Sequence, residues 1–120
     1  MFKLKTSETF SWPVVCDFPV DGQHKKVEFT ATFRTLSRDV LAERLANNPD
    51  DTDLDRMRKI NDFVSDVLID LDGITFTDDA DNPIETTTAE RKSRAINHPI
   101  IGPALLVAYQ LGLGGRQRKN

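Results

Sequence analysis

Two alternating apolar runs on either side of a turn signal constrain this chain more than anything else in it. Phe10, Trp12, Val14, Cys16 and Phe18 share one side of the first run. Val27, Phe29, Ala31 and Phe33 share one side of the second, while Glu28, Thr30, Thr32 and Arg34 point the other way. A period of two is the signature of a half-buried strand. Between the runs, Pro19-Val20-Asp21-Gly22 and the polar Gln23-His24-Lys25-Lys26 supply turn chemistry, because proline presets one dihedral and glycine accepts a positive one. The segment reads as a β-hairpin. Pro13 has no amide hydrogen to give to a ladder, so the first strand belongs at a sheet edge or a bulge, and that edge is a candidate docking site. Trp12 lies on the apolar face. Core packing is its first role there and ligand recognition the alternative.

The remainder of the chain is patterned as helices. Ser37 is a good N-cap for Arg38 to Leu45, with Leu36 and Leu41 at the spacing of a hydrophobic staple, and Asn47-Asn48-Pro49 ends that helix. Thr52 and Asp55 have capping-box spacing at the head of a second helix, whose stripe runs Leu54, Met57, Ile60, Phe63, Val64, Val67, Leu68 and Leu71 until Asp70-Leu71-Asp72-Gly73 breaks it. Ile74-Thr75-Phe76 is then a candidate short strand, and Asp78 to Pro83 a polar loop. Thr87 and Glu90 repeat the capping-box spacing for a helix ending near Asn97-His98-Pro99. A last helix begins near Pro99 or Pro103, carries Ile100, Ile101, Leu105, Leu106 and Tyr109, and stops at Gly112-Leu113-Gly114-Gly115. A hairpin followed by helices favours an α+β domain over a parallel α/β sheet. The expected architecture is an N-terminal antiparallel β-hairpin or small sheet packed against a bundle of about four C-terminal helices. Residues 1–115 form one domain in this reading, and 116–120 a mobile basic C-terminal tail.

A chain of 120 residues can bury roughly two thirds of its unfolded surface around one core. The formal charge of -3 is unevenly spread: residues 50–85 hold 3 Lys/Arg against 12 Asp/Glu, and residues 86–120 hold 6 against 1. An acidic middle and a basic end without interleaved aromatics argue against nucleic acid as a partner. The charge asymmetry is satisfied by packing the middle on the end within one molecule, or by a head-to-tail contact between copies. A lone cysteine, Cys16, at an inward strand position suggests a small buried hydrophobe in a reducing compartment. Met1 to Thr9 lacks an apolar run and no stretch approaches a membrane span, so cytoplasmic residence and no membrane partner are expected.

The chain offers little to catalytic or metal chemistry. A calcium loop begun at Leu68 places Asp70, Asp72 and Gly73 correctly, but Leu68 itself and Asp79 stand where strong oxygen ligands belong. His24, His98 and Cys16 have no metal-ligand spacing, and the glycines at 112–115 follow a helix instead of opening one. No spacing among the acids singles out a general acid/base pair. The expectation is a protein without enzymatic activity, cofactor or metal.

Phe10 to Val14 (Phe-x-Trp-Pro-Val), the Pro19 to Gly22 turn and Glu28 to Arg34 (Glu-Phe-Thr-Ala-Thr-Phe-Arg) together resemble the N-terminal region of tail assembly chaperones from long-tailed, siphovirus-type bacteriophages. Val67 to Ile74 and Pro99 to Tyr109 are similar to that family's middle turn and final helix, although Leu71 stands where the family usually has tryptophan. The resemblance implies a non-enzymatic assembly factor that binds the tape measure protein, keeps it soluble and helps tail tube protein polymerise around it. It also implies residence in the host cytoplasm and absence from the mature virion. Members are commonly made in a short form and a frameshifted, C-terminally extended form, and this chain corresponds to the short one. Homo-oligomers are a further alternative. Such work needs exposed apolar patches or sheet edges. The candidate client surfaces are Trp12 and Pro13 on the edge strand and Ile100, Ile101, Leu105 and Tyr109 on the last helix, each with core packing as its competing role. The rival classes are a small structural tail or head-tail connector protein of a virion, and an unrelated small enzyme or binding module.

Overall fold

A computed structural model of the chain describes Met1, Lys3 and residues 8–114. The expected basic tail at 116–120 lies outside the described residues. Elements follow in the order β1 (Thr9–Val20), β2 (Gln23–Arg34), α1 (Arg38–Arg44), α2 (Asp53–Val67), β3 (Leu68–Asp72), α3 (Thr88–Asn97) and α4 (Ile101–Gly114). Among the described residues this is an α+β fold: a three-stranded antiparallel sheet in the order β1-β2-β3, packed against four helices.

The hairpin turn is tighter than the sequence suggests. Asp21 and Gly22 both take positive φ, 50° and 79°, and two consecutive left-handed residues complete the reversal with the twist that antiparallel strands require. Gln23 to Lys26 are therefore not loop. They pair with Val20 to Asp17 as the start of β2. Alternate pairs of an antiparallel ladder exchange hydrogen bonds, beginning with Val20 and Gln23 beside the turn. Counting back along β1, Pro13 and Pro19 occupy the positions whose nitrogens face away from β2. The open edge of the sheet thus lacks an amide donor at two places, a device that discourages further strand pairing.

The stripe read as one long helix is divided in two. α2 ends at Val67, Leu68 caps it in extended geometry (φ -77°, ψ 122°), and Leu68–Asp72 runs on as β3 beside β2. The strand expected at Ile74 to Phe76 is absent from that position. A register shift between Thr32 and Phe33 turns both Leu68 and Leu71 inward, each 1% exposed. A bulge of this kind converts the strand's period of two into a local spacing of three, which is the spacing that mimics a helix.

Local chemistry sets the other boundaries as expected. Ser37, Thr52 and Thr87 each accept a backbone N–H at the head of a helix, and Thr52/Asp55 and Thr87/Glu90 close complete capping boxes. His98 joins α3 to α4, its Nδ1 accepting from the amides of Ile100 and Ile101 at 3.1 and 3.3 Å. Gly102 fits at this corner because a Cβ would collide with the carbonyl oxygen of Ile96. Val14, Phe29, Ala31 and Phe33 of the sheet meet Phe63, Val64 and Val67 of α2, Ala95 of α3, and Leu105 and Tyr109 of α4 in one core. Fully burying each large apolar side chain contributes about 1.5–3 kcal/mol.

Candidate interaction surface

The fold separates the proposed client residues. Ile101, Leu105 and Tyr109 are 5%, 0% and 1% exposed and belong to the core, so the face of α4 that they form is turned towards the sheet and away from any partner. Trp12 is half-buried against the same core, as is Ile100. Pro13 is exposed on the outer face of the edge strand. Of the six, only Pro13 is freely presented, and it stands on the opposite side of β1 from Trp12.

Tyr109 is instead the centre of an aromatic cluster. Phe10, Phe33 and Phe63 lie with ring centroids 5.6, 5.3 and 5.3 Å from its own, the last two edge-on, a geometry that places ring edges on ring faces. Its hydroxyl is buried without a well-formed hydrogen bond. Burial pushes the phenol pKa up, opposed weakly by the Leu36 backbone and Arg34.

Charged side chains mostly tie elements together. Asp66 near the end of α2 receives Arg34 of β2 and Arg44 of α1, the latter at 2.8 Å. The hydrogen bonds from Arg44 and then Arg34 hold its carboxyl below the usual range. Arg44 also lies 5.7 Å over the Phe63 ring. Arg91 of α3 reaches the free edge of β3, where its Nη2 donates to Asp70 at 2.9 Å and to the Leu71 carbonyl. Asp66 and Asp70 of the acidic middle are thus paired within one molecule with arginines from before and after it. The Asp78 loop is closed on itself, with Asp78 Oδ1 accepting from the amides of Ala80 and Asn82. Among the described residues no cluster of three or more His, Cys, Asp or Glu could hold a metal ion. Cys16 is buried, and burial, then Asp17, pushes its thiol pKa up and away from reactivity.

The surface that lacks a packing explanation lies between α2 and α4. α4 has no charged residue from Ile101 to Gly114, and a helix that is apolar all round is ordinarily covered all round. Here one face is buried while Pro103 and Val107 are exposed, Val107 to 52%. Beside them the first half of α2 carries its apolar stripe past the point where the fold covers it: Phe63 and Val64 are buried, Ile60 is half-buried, and Met57 and Leu54 are 58% and 52% exposed. Met57 and Ile60 of α2 and Pro103, Leu106 and Val107 of α4 line a groove of about 620 Å³, to which Asp53, Arg56, Asn61 and His98 also contribute. The sequence pattern held both signals, an uncharged helix and a stripe running to Leu54, but only the fold shows that they stay uncovered on the same side. Among the described residues no helix is long and apolar enough to cross a membrane.

No protein-family model, characterised protein or solved structure matches this chain.

Proposed function

We propose that this chain is a non-enzymatic tail assembly chaperone of a long-tailed phage, which binds the tape measure protein and keeps it soluble while tail tube protein polymerises around it. The observation that carries the reading is the uncovered apolar face of α2 and α4. A holding factor needs accessible apolar surface that does not collapse into its own core, and helix-in-groove recognition requires an apolar groove of this kind. Met57 suits such a surface, because an unbranched thioether side chain adapts to clients of irregular shape. The hairpin motif from Phe10 to Arg34 supports the family half of the proposal, and the groove supports the binding half. The client site accordingly moves from the core face of α4, where Leu105 and Tyr109 lie, to its opposite face, where Val107 lies.

The proposal places the protein in the host cytoplasm during assembly and outside the finished particle. Co-expression with the tape measure protein encoded by the same phage tests it. The expected result is a higher soluble yield of the client and copurification of the two chains. Recovery of this chain as a stoichiometric component of purified mature particles would contradict it and favour a structural tail subunit.

A further inference from the structure

We propose that His98 is a proton-sensitive cap on α4: its uncharged imidazole closes the first turn of that helix, and a proton on Nδ1 opens the turn where it borders the α2–α4 groove. The inference concerns this chain alone and stands whatever occupies the groove.

Two backbone amides converge on one ring nitrogen. His98 is half-buried and has the extended backbone of an N-cap (φ -74°, ψ 132°). Pro99 follows at the first position of the turn, where an amide hydrogen would have no partner, and Nδ1 accepts from Ile100 and Ile101, two and three residues on. Those are the amides that a serine, threonine, aspartate or asparagine cap takes. Little else holds the turn. The His98 carbonyl accepts from Gly102 at 2.9 Å, but Pro103 has no amide with which to continue the ladder. Ser37, Thr52 and Thr87 cap their helices through hydroxyls, which do not titrate near neutrality. Imidazole differs, because Nδ1 accepts only while it is bare and donates once the ring is charged. Protonation therefore sets a donor against two donors and brings positive charge to the positive end of the helix dipole. His98, Pro99 and Pro103 all line the groove, so the turn that opens is part of its wall.

Among the described residues no carboxylate forms an ion pair with His98 to hold it in the charged form. α4 carries no charge from Ile101 to Gly114, and on α3 Arg94 stands one turn back. Across the groove Asp53 is paired with Arg56. On the sheet side the imidazole lies 5.4 Å from the Phe18 ring, whose cross-strand partner is Lys25 and whose neighbour in β1 is Asp17.

Nitrogen NMR of the ring and amide hydrogen exchange, both on the full-length protein, test the cap. At pH 8 the ring is expected to carry its proton on Nε2 and leave Nδ1 bare. Protection factors of the Ile100 and Ile101 amides are expected to be complete above the range in which an open-chain histidine takes up its proton, near pH 6.5. By about pH 5, well below that range, they should fall roughly 5- to 10-fold, as on loss of one N-cap. Measuring them against the core amides of Phe63 and Val64 separates opening of the turn from loss of the whole fold. His98→Asn keeps an acceptor at the same place without titrating, so its protection is expected to stay level over the same range. His98→Ala is expected to show the acid-state protection at every pH. His24→Gln, at the only other histidine, is expected to keep the wild-type profile. A proton on Nδ1 at pH 8, protection at Ile100 and Ile101 that ignores pH, or a His98→Asn variant that keeps the wild-type acid response would overturn the proposal.

Discussion

Tyr109 shows how one side chain can combine a large packing contribution with an unmet polar group. Its ring touches three phenylalanines, so Tyr109→Ala is expected to cost about 3–5 kcal/mol, as for other buried aromatics. Tyr109→Phe keeps the ring cluster and removes a buried hydroxyl with no well-formed partner. Urea denaturation should therefore show it within about 1 kcal/mol of wild type, and equal or more stable. The pH dependence has a definite sign. An unfolded tyrosine ionises near pH 10, whereas burial raises the folded value, so this contribution to stability is complete below about pH 10 and is lost as the pH rises through the folded pKa. Tyr109 is the sole tyrosine, and phenolate absorbance should appear only above that range, together with alkaline unfolding. Its placement in the sequence was ambiguous, because an apolar helix face looks the same whether it meets a core or a client.

At the scale of elements, caps and turns were legible because they depend on neighbours in sequence. Thr52→Ala and Thr87→Ala should each destabilise by about 1 kcal/mol in thermal or urea melts, the usual cost of an N-cap. Asp55 and Glu90 return hydrogen bonds from the Thr52 and Thr87 amides, and those bonds hold both carboxyls below their ordinary values of 3.8 and 4.5. The stabilisation is therefore present above those values and lost as acid takes the pH through the lowered ones. Asp55→Asn and Glu90→Gln, which remove the titrating carboxyls, should each show a correspondingly shallower loss of stability on acid titration. The boundary between α2 and β3 was illegible for a reason of equal physical clarity. Between the pairs Thr32–Asp70 and Phe33–Leu68 the strand β3 carries an extra residue, Ile69, which places Leu68 and Leu71 inward at a helical spacing, and the partner strand that defines this register is distant in sequence. The hairpin loop was overestimated because polar Gln23 to Lys26 resemble a loop, although Asp21 and Gly22 alone complete the turn. On the opposite edge, Pro13→Thr restores an amide donor facing away from β2. Its melt should stay within about 0.5 kcal/mol of wild type, as for surface changes generally, while light scattering on heating shows faster aggregation.

For the molecule as a whole, the apolar and charged surfaces divide cleanly between inward and outward tasks. Two acids of the middle segment are held by Arg34–Asp66–Arg44 and Arg91–Asp70, contacts that tie helices to the sheet. What the fold leaves over is an uncharged face of α4 beside the overhanging first half of α2. Sequence periodicity marked both helices as apolar, but whether a stripe is covered depends on where the other elements end in space. Val107→Lys lies on this exposed face and should change stability by no more than about 0.5 kcal/mol, which separates loss of binding from loss of folding. The most direct test of the account is the amount of tape measure protein that copurifies with wild type and with Val107→Lys after co-expression. The account predicts soluble, copurifying client with wild type and aggregated client with the equally stable variant. Client that is equally soluble with either chain, or equally aggregated with wild type and with no chaperone at all, would contradict it.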